Sequence, residues 1–150
     1  MKTNGDALKF AIDDLKSDPE VVLEAVKNNG LALQYTTEKF KNDRQIVLAA
    51  IQQNAWALRF ASDALKKDRE IITAAINQPG GGRALKYADK KFRADRKIVL
   101  AAVKCSDGVL ELVDESLTND KKIVLAAVEN DGWALKYASK KLRSDFEVVF

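Results

Sequence analysis

Hydrophobic residues recur along the chain with a period of about 25 residues. Each period contains a leucine, a large apolar residue seven positions later, an aspartate three positions after that, and then a pair of branched aliphatic residues. The leucines are Leu8, Leu33, Leu58, Leu85, Leu110 and Leu135, and the large apolar residues are Leu15, Phe40, Leu65, Phe92, Leu117 and Leu142. The aliphatic pairs begin at Val21, Ile46, Ile71, Ile98, Ile123 and Val148. Features that stay in step over six periods indicate tandem copies of one structural unit.

The aspartates divide the chain into these copies. They are Asp18, Asp43, Asp68, Asp95, Asp120 and Asp145. Their spacing is 25 residues except between the third and fourth, where it is 27. The predicted repeats are 5–29, 30–54, 55–79, 82–106, 107–131 and 132–150, in a single domain over 1–150. We predict a flexible or kinked joint at 79–82, where the two extra residues lie in a run of glycines.

Each copy is predicted to form two helices. Helix A follows directly on helix B of the preceding copy and runs to the turn before the aspartate. Its apolar residues, such as Leu33, Thr36 and Phe40, have offsets of three and seven positions from the leucine and so lie on one helical face. Helix B begins at the aspartate, whose carboxylate is a strong N-cap. The segment 46–51 is apolar nearly all round, so helix B should be buried on several sides. Helix B is predicted to end at 29–30, 54–55, 78–80 and 131–132, where Gly30, Gly80 and Gly132 can take the left-handed conformation that terminates a helix.

Helices this short are marginal alone, so the copies must bury their apolar faces on one another. The pattern therefore predicts an all-α solenoid, a right- or left-handed superhelix of six helix-turn-helix repeats. The sixth copy stops at Phe150, before helix B is complete. This leaves two alternatives, a fragment of a longer array or an unusual C-terminal cap.

Two stretches of sequence carry a resemblance to a known family. Residues 43–62 read DRQIVLAAIQQNAWALRFAS, and residues 120–139 read DKKIVLAAVENDGWALKYAS. Both closely resemble the repeats called "domain of unknown function 4116", and the resemblance extends over nearly the whole chain. It implies a repeat array of the kind found in intracellular bacteria, protists and algae, sometimes in secreted effector-like proteins, and it implies no activity. The fifth copy departs from the pattern, because 107–113 lacks the aromatic residue and shifts the glycine.

Composition argues against an enzyme and against a cofactor. The chain has no histidine, which removes serine–histidine and cysteine–histidine mechanisms, and Cys105 is a lone thiol without an obvious base. The acidic pairs at 13–14 and 114–115 are predicted to be solvated rather than metal ligands. Gly80–Arg83 lacks the P-loop pattern. Without a signal peptide or an apolar run of membrane length, the expected location is cytoplasmic, although a secreted effector would not be recognisable from sequence.

Basic residues recur on both sides of the aspartate. Those directly after it are Arg44, Arg69, Arg96 and Lys121, and those two positions before it are Lys16, Lys41, Lys66, Arg93 and Arg143. Stacked copies would align them in rows that suit a nucleic-acid backbone or an acidic protein. Alternatively, they favour the helix dipole and cover apolar surface. The fourth copy has eight basic and two acidic residues and the fifth has two basic and seven acidic, so charge can also serve stacking between neighbours.

Trp56 and Trp133 occupy the same position in their copies, where the other copies carry different residue types. Tryptophan is enriched at binding hot spots, but it also packs well between repeats. Together with the four cations after the aspartates, these are the candidate partner-binding residues. The predicted function is a non-enzymatic binding scaffold for a protein partner. The alternatives are a basic repeat protein that binds RNA or DNA, and an accessory repeat that spaces a separate catalytic domain. Oligomers could form through exposed array ends.

Overall fold

The computed structural model describes residues 5–149, and every regular element in that range is helical. Each copy contains three such elements in the same order. The first are 3₁₀ helices at Gly5–Phe10, Gly30–Tyr35, Ala55–Phe60, Gly81–Tyr87, Leu110–Leu112 and Gly132–Tyr137. The second are single turns at Asp13–Lys16, Glu38–Lys41, Leu65–Lys67, Lys90–Arg93, Glu115–Leu117 and Leu142–Ser144. The third, helix B, spans Pro19–Asn28, Arg44–Gln53, Arg69–Ile76, Arg96–Cys105, Lys121–Asn130 and Phe146–Val149.

The prediction of one continuous helix A is wrong, because a pair of extended residues divides it. In the second copy these are Thr36 (φ −83°, ψ 167°) and Thr37 (φ −70°, ψ 160°). The equivalent residue of the next copy, Ser62, donates its backbone N–H to the carbonyl of Lys41 in the second copy at 2.8 Å. Equivalent bonds join residues 89 to 66, 114 to 93 and 139 to 118, at 2.9–3.0 Å. A hydrogen bond between copies thus replaces the one that would continue the helix.

The buried face predicted for helix A is nevertheless present. Leu33, Thr36 and Phe40 are all buried. Leu33 and Thr36 keep a common face because they are three residues apart and a 3₁₀ helix has three residues per turn, whereas Phe40 lies in the single turn after the break. The Thr36 hydroxyl donates to the carbonyl of Leu33 at 2.8 Å, so the buried hydroxyl group has a hydrogen-bond partner.

Helix B begins at the repeated aspartate in every copy. The side chain of Asp43, for example, accepts the backbone N–H groups of Gln45 and Ile46. The same two positions donate to Asp18, Asp68, Asp95 and Asp120, and Glu147 N donates to Asp145 at 3.0 Å. These bonds satisfy N–H groups that a helix leaves unpaired in its first turn.

The left-handed conformation predicted for the glycines after helix B is present at Gly80 but not at Gly30 or Gly132. Among the glycines in 5–149, only Gly80 (φ 69°) and Gly108 (φ 63°) have positive φ. Helix B of the first copy instead ends at an extended Asn29, whose side chain accepts Leu31 N at 3.0 Å and caps the next 3₁₀ helix. Asn54 and Asp131 cap Trp56 N and Trp133 N in the same way.

A close approach between backbones explains glycine at the start of the 3₁₀ helix in the second and fourth copies. A Cβ atom on Gly30 would lie 2.2 Å from the carbonyl oxygen of Ala50, and one on Gly82 would lie 2.2 Å from that of Ala102. Both contacts are too short for any side chain. The 3₁₀ helix therefore rests directly on helix B of its own copy.

The core is continuous across the copies. Helix B of each copy packs on helix B of the next, and the 3₁₀ helices of the second, third and fourth copies each pack on helix B of their own and of the preceding copy. From Ile46 to Ile51 no residue of helix B is exposed, as the sequence predicts. None of the helices within 5–149 is long and apolar enough to cross a membrane.

The two extra residues before the fourth copy do not interrupt the contacts between copies. Gly80 takes the left-handed conformation, and Gly81 begins a 3₁₀ helix that is one residue longer than most of the others. Trp56 of the third copy contacts Tyr87 of the fourth, with ring centroids 5.9 Å apart. Bending at 79–82 stays a prediction.

Candidate functional site

The cations that follow the repeated aspartates contact the next copy along the chain. Arg69 Nη1 lies 2.5 Å from Asp95 Oδ2, and Arg96 Nε lies 2.5 Å from Asp120 Oδ2. Arg44 pairs with both Asp68 and Glu70. Lys121 lies 3.0 Å from Asp145 and also pairs with Glu147. In each case the acceptor includes the aspartate that caps helix B of the following copy. We call these pairs the ion-pair ladder.

The ladder changes the acidity of the capping carboxylates. The pKa of Asp95 is lowered chiefly by the hydrogen bond from Arg69, and that of Asp120 by the one from Arg96. The pKa of Asp145 is lowered chiefly by the hydrogen bond from Lys121. A lowered pKa means that the folded chain holds the ionised carboxylate more favourably than water does.

The ladder spans the second to the sixth copy. Pro19 fills the cation position of the first copy and Phe146 that of the sixth. Within the described part of the chain, no ion pair involves Asp43, which faces the copy that carries Pro19. Four predicted partner-binding residues (Arg44, Arg69, Arg96 and Lys121) therefore already hold neighbouring copies together.

The two tryptophans lie at the start of 3₁₀ helices, but their surroundings differ. Trp133 is 81% exposed and Trp56 is 40% exposed. The Trp56 ring meets Tyr87 of the fourth copy edge to face, at an interplanar angle of 67°. Arg59 lies over Phe60 and Tyr87, 4.9 and 5.8 Å from the ring centroids. Trp56 thus belongs to an aromatic and cationic cluster, whereas Trp133 projects into solvent.

A second set of cations lies on the single turns before the aspartates, on a different part of the surface. Between the third and fourth copies these turns border an open groove of about 540 Å³. Lys66 and Lys67 line it from one side, and Lys90 and Arg93 from the other. Tyr87 lies against the same groove, and so does Asp63, whose carboxylate is 3.6 Å from Lys66 Nζ. We call this the turn groove.

Comparison with known families accounts for the repeat. The family described as "Domain of unknown function (DUF4116)" matches residues 1–41, 18–66, 43–93, 68–118, 95–143 and 120–150. The chain belongs to the DUF4116 family. The matches together cover the whole sequence, and all but the first begin at one of the capping aspartates. No curated protein and no solved structure matches the chain.

The overlap of the matches describes the DUF4116 unit in structural terms. A match such as 43–93 starts at a capping aspartate and continues through the following copy to the turn before the next-but-one aspartate. It therefore contains two aspartates and the ladder cation between them, here Arg44 opposite Asp68. The family unit is longer than one 25-residue copy and includes one complete junction between copies.

Three other features of the DUF4116 chain were candidates for chemistry or binding: the cysteine, the acidic groups and an apolar groove. Cys105 is exposed at the end of a helix B. Within 5–149, no three acidic, cysteine or histidine side chains come close enough to hold a metal ion. The first copy has an apolar groove of about 550 Å³ bordered by Leu8, Phe10 and Leu15. Phe10 is 82% exposed there, although the equivalent Tyr35 and Phe60 are partly covered.

Two features of the DUF4116 chain escape an analysis of single copies. The first is the set of side chains that cap the 3₁₀ helices, namely Asn29, Asn54 and Asp131, because the same residues also end helix B. The second is the ladder, because its aspartates and its cations form two separate rows in the sequence. The sequence does contain a signal for the ladder. Each cation precedes its acceptor aspartate by 24 residues, or by 26 in the case of Arg69 and Asp95. When the copies stack, residues at this offset lie next to each other.

Proposed function

We propose that this chain is a helical-repeat solenoid that acts as a non-enzymatic binding scaffold for a protein partner. The observation that carries the proposal is the exposure of tryptophan at one position of the repeat. Trp56 leaves two-fifths of its surface in solvent although Tyr87 of the following copy contacts it, and Trp133, in the last copy that the sequence contains, leaves four-fifths. Exposing so large an apolar ring forgoes the burial that would stabilise the fold, and tryptophan is concentrated at binding hot spots.

The solenoid part of the proposal rests on how the copies contact one another. The copies use the same elements toward their neighbours, namely helix B, the 3₁₀ helix and, from the second copy to the fifth, the ladder cation. Repetition of one junction along a chain generates a superhelix with an extended surface. On such a surface, residues shared by the copies serve stacking, and residues that vary are available for a partner.

A protein partner fits the charges better than a nucleic acid does. The regular row of cations that suggested a nucleic-acid backbone is engaged in the ladder, where each member faces one or two carboxylates. A phosphate backbone would have to compete with these carboxylates at every step. The other cations do not form a continuous row, because the fifth copy carries Asp114 and Glu115 where the fourth has Asp89 and Lys90.

The direct test is affinity capture from the cell that expresses the chain, followed by binding measurements with each purified candidate partner. We expect Trp133→Ala to weaken partner binding by at least about tenfold, the loss of about 1.4 kcal/mol typical of a moderate hot spot. The matched control is Lys122→Ala, an exposed residue at the start of helix B. It should bind as the wild type does, and both variants should unfold at the wild-type denaturant concentration.

Two results would contradict the proposal. One is a partner that binds Trp56→Ala/Trp133→Ala as tightly as the wild type. The other is capture dominated by RNA or DNA, with a log–log salt slope of about −0.7 to −0.9 for each phosphate contacted. The slope separates the two classes of partner, because aromatic contacts add little salt dependence.

A further inference from the structure

The turn groove is the one junction that concentrates cations from both neighbouring copies. Four positions of the repeat border such a junction. Counted from the first residue of each copy (55 in the third copy and 82 in the fourth), they are the twelfth and thirteenth of one copy and the ninth and twelfth of the next. At the third–fourth junction all four are basic: Lys66, Lys67, Lys90 and Arg93. The other junctions have at most two basic residues at these positions. The concentration is therefore specific to this pair of copies and is not required by stacking.

The two acidic side chains at the groove leave the cations in excess. Asp63 lies 3.6 Å from Lys66, and Asp89 Oδ1 accepts Lys91 N at 3.1 Å. Four cations and two carboxylates give a net charge of about +2. This matches a phosphate monoester, which carries a charge of about −1.5 to −2 at neutral pH.

One of the cations is already held in place. Arg93 Nη2 donates to the carbonyl of Lys86 at 2.9 Å, and its Nε atom is buried without a hydrogen-bond partner. A guanidinium fixed in this way loses little conformational entropy when it binds an oxyanion. Lys67 and Lys90 are exposed beside it and supply mobile charges. A guanidinium held at one end, with flanking ammonium groups, suits a tetrahedral oxyanion with several acceptor oxygens.

The size and the limits of the groove favour a discrete anionic group. A volume of about 540 Å³ is within the range of small-ligand sites, and it accommodates a phosphorylated side chain with part of its backbone. On the fifth copy, Asp114 and Glu115 take the places of Asp89 and Lys90. A long polyanion that left the groove in that direction would meet Glu115 where the groove has a lysine, whereas a single phosphate would remain beside the four cations.

We propose that the turn groove binds a phosphorylated side chain of a protein partner. This inference rests on the proposed function and adds the chemistry of one contact. Arg93 orients the phosphate, and Lys66, Lys67 and Lys90 neutralise it. The aromatic cluster of Trp56 and Arg59 adjoins the groove through Tyr87, which they both contact. A peptide that crosses both sites would present a phosphate to one and an apolar residue to the other.

The test uses a phosphoserine hexapeptide made otherwise of glycine and serine, with its unphosphorylated counterpart, and the full chain. Titration is followed by amide shifts in nuclear magnetic resonance spectra. We expect saturable binding of the phosphopeptide alone, with shifts concentrated at residues 66–67 and 87–93. Lys67→Gln/Lys90→Gln should weaken it about tenfold or more, since two charge-assisted contacts are lost. Both residues are exposed, so the fold should persist, whereas Arg93→Gln also removes a structural bond.

The sixth copy provides matched controls, because Lys140 and Arg143 occupy the positions of Lys90 and Arg93. There the preceding copy contributes Thr118 and Asn119 instead of two lysines. Lys140→Gln should leave phosphopeptide binding unchanged. Thr118→Lys should add a second region of shift changes around 140–143.

Three outcomes would overturn the inference. Unchanged phosphopeptide affinity in Lys67→Gln/Lys90→Gln would place binding elsewhere. Inorganic phosphate that binds as tightly as the phosphopeptide would assign the groove to a free ion. A single-stranded oligonucleotide that binds more tightly, with a salt slope of several phosphates, would assign it to nucleic acid. None of these titrations involves the captured partner, so a failed partner test with Trp133→Ala is distinguishable from a failure here.

Discussion

Arg69 and Asp95 join the third copy to the fourth through a carboxylate that also starts a helix. Asp95 Oδ2 accepts Arg69 Nη1 at 2.5 Å, while Oδ1 accepts the backbone N–H groups of Lys97 and Ile98 at 3.0 and 3.1 Å. One carboxylate oxygen caps helix B within the copy, and the other binds the arginine of the preceding copy. Asp68 divides its oxygens in the same way, toward Arg44 and toward its own helix. The two contributions can therefore be separated by substitution.

Asp43 and Asp68 provide that separation. Asparagine is nearly as good an N-cap as aspartate but carries no charge. Asp43 faces no ladder cation, so Asp43→Asn should change the free energy of unfolding by less than about 0.5 kcal/mol. Asp68→Asn keeps the cap but loses the pair with Arg44, and should cost up to about 1 kcal/mol. Urea denaturation followed by circular dichroism measures both.

A double-mutant cycle identifies the cause. In a chain that carries Arg44→Gln, Asp68→Asn should lower the free energy of unfolding by about as little as Asp43→Asn does. The reason is that Asp68 has then already lost its ion-pair partner Arg44. Equal losses in Asp43→Asn and Asp68→Asn would show that the ladder contributes nothing beyond capping. Asp43→Ala removes the cap itself and should lower the free energy of unfolding by about 1 kcal/mol. It gives the contribution of capping with which the contribution of the ion pair is compared.

The lowered pKa values predict how stability depends on pH. Asp95, Asp120 and Asp145 have folded-state pKa values below the ordinary value, chiefly because Arg69, Arg96 and Lys121 donate hydrogen bonds to them. The unfolded chain then binds protons at higher pH than the folded chain does. The stabilisation is complete above about pH 5 and is lost as the pH falls through the unfolded value near 3.9 toward the folded values.

Thermal unfolding measured between pH 7 and pH 2.5 tests this dependence. The midpoint should stay level down to about pH 5 and then fall. In Arg69→Gln/Arg96→Gln the midpoint at pH 7 should be lower and the fall on acidification shallower. A wild-type midpoint that rises on acidification, or variants with an unchanged acid slope, would contradict the proposed role of these pairs.

The sequence predicts local features of this fold better than it predicts contacts between copies. The capping aspartates and the buried helix B follow from chemistry within one copy, and residues such as Leu33 and Ile46 lie where the pattern requires. The break in helix A depends on a bond from Ser62 to the preceding copy. Periodicity does not encode that bond, since an offset of three residues suits either type of helix.

The candidate site was predictable in the same limited sense. The pattern identifies Arg44 as one of a row of repeated cations, and Trp56 as a position at which the copies carry different residue types. It does not reveal that Arg44 faces Asp68, or that Trp56 rests on Tyr87, because both contacts depend on the register between copies. The turn groove is visible in sequence only when the positions of two neighbouring copies are compared.

Glycine at the start of the fourth 3₁₀ helix is predicted to be required for steric reasons. A Cβ atom on Gly82 would lie 2.2 Å from the carbonyl oxygen of Ala102, and the backbone there cannot move away freely. Gly82→Ala should destabilise by about 1–3 kcal/mol, as overpacking does. Gly132 occupies the same position in the sixth copy, of which the sequence includes helix B only as far as Phe150, so no residue equivalent to Ala102 is present and nothing is found within 4 Å of the corresponding Cβ.

Gly132→Ala is therefore the matched control for Gly82→Ala. Its φ is not positive, so alanine fits, and the smaller entropy of the unfolded chain should leave stability equal or slightly higher. Denaturant unfolding of both variants measures the difference. Similar losses at the two positions would mean that glycine is needed for its backbone conformation and not for the contact with Ala102.

The two tryptophans should differ in what they contribute to folding. Trp56 is partly buried and meets Tyr87 of the next copy edge to face, 5.9 Å between ring centroids, whereas Trp133 is 81% exposed. Trp56→Ala should lower the free energy of unfolding by about 1–2 kcal/mol, from lost apolar burial and the aromatic pair. Trp133→Ala should change it by less than about 0.5 kcal/mol, as surface substitutions usually do.

Denaturant unfolding of Trp56→Ala, Trp133→Ala and Trp56→Phe separates stability from recognition. Trp56→Phe keeps an aromatic ring against Tyr87 and should recover part of the loss, whereas a role confined to binding would leave all three variants as stable as the wild type. If Trp133→Ala proved as destabilising as Trp56→Ala, the exposed ring would be a folding element. Trp133 is the residue that best isolates partner recognition, because its removal alters almost nothing that holds the copies together.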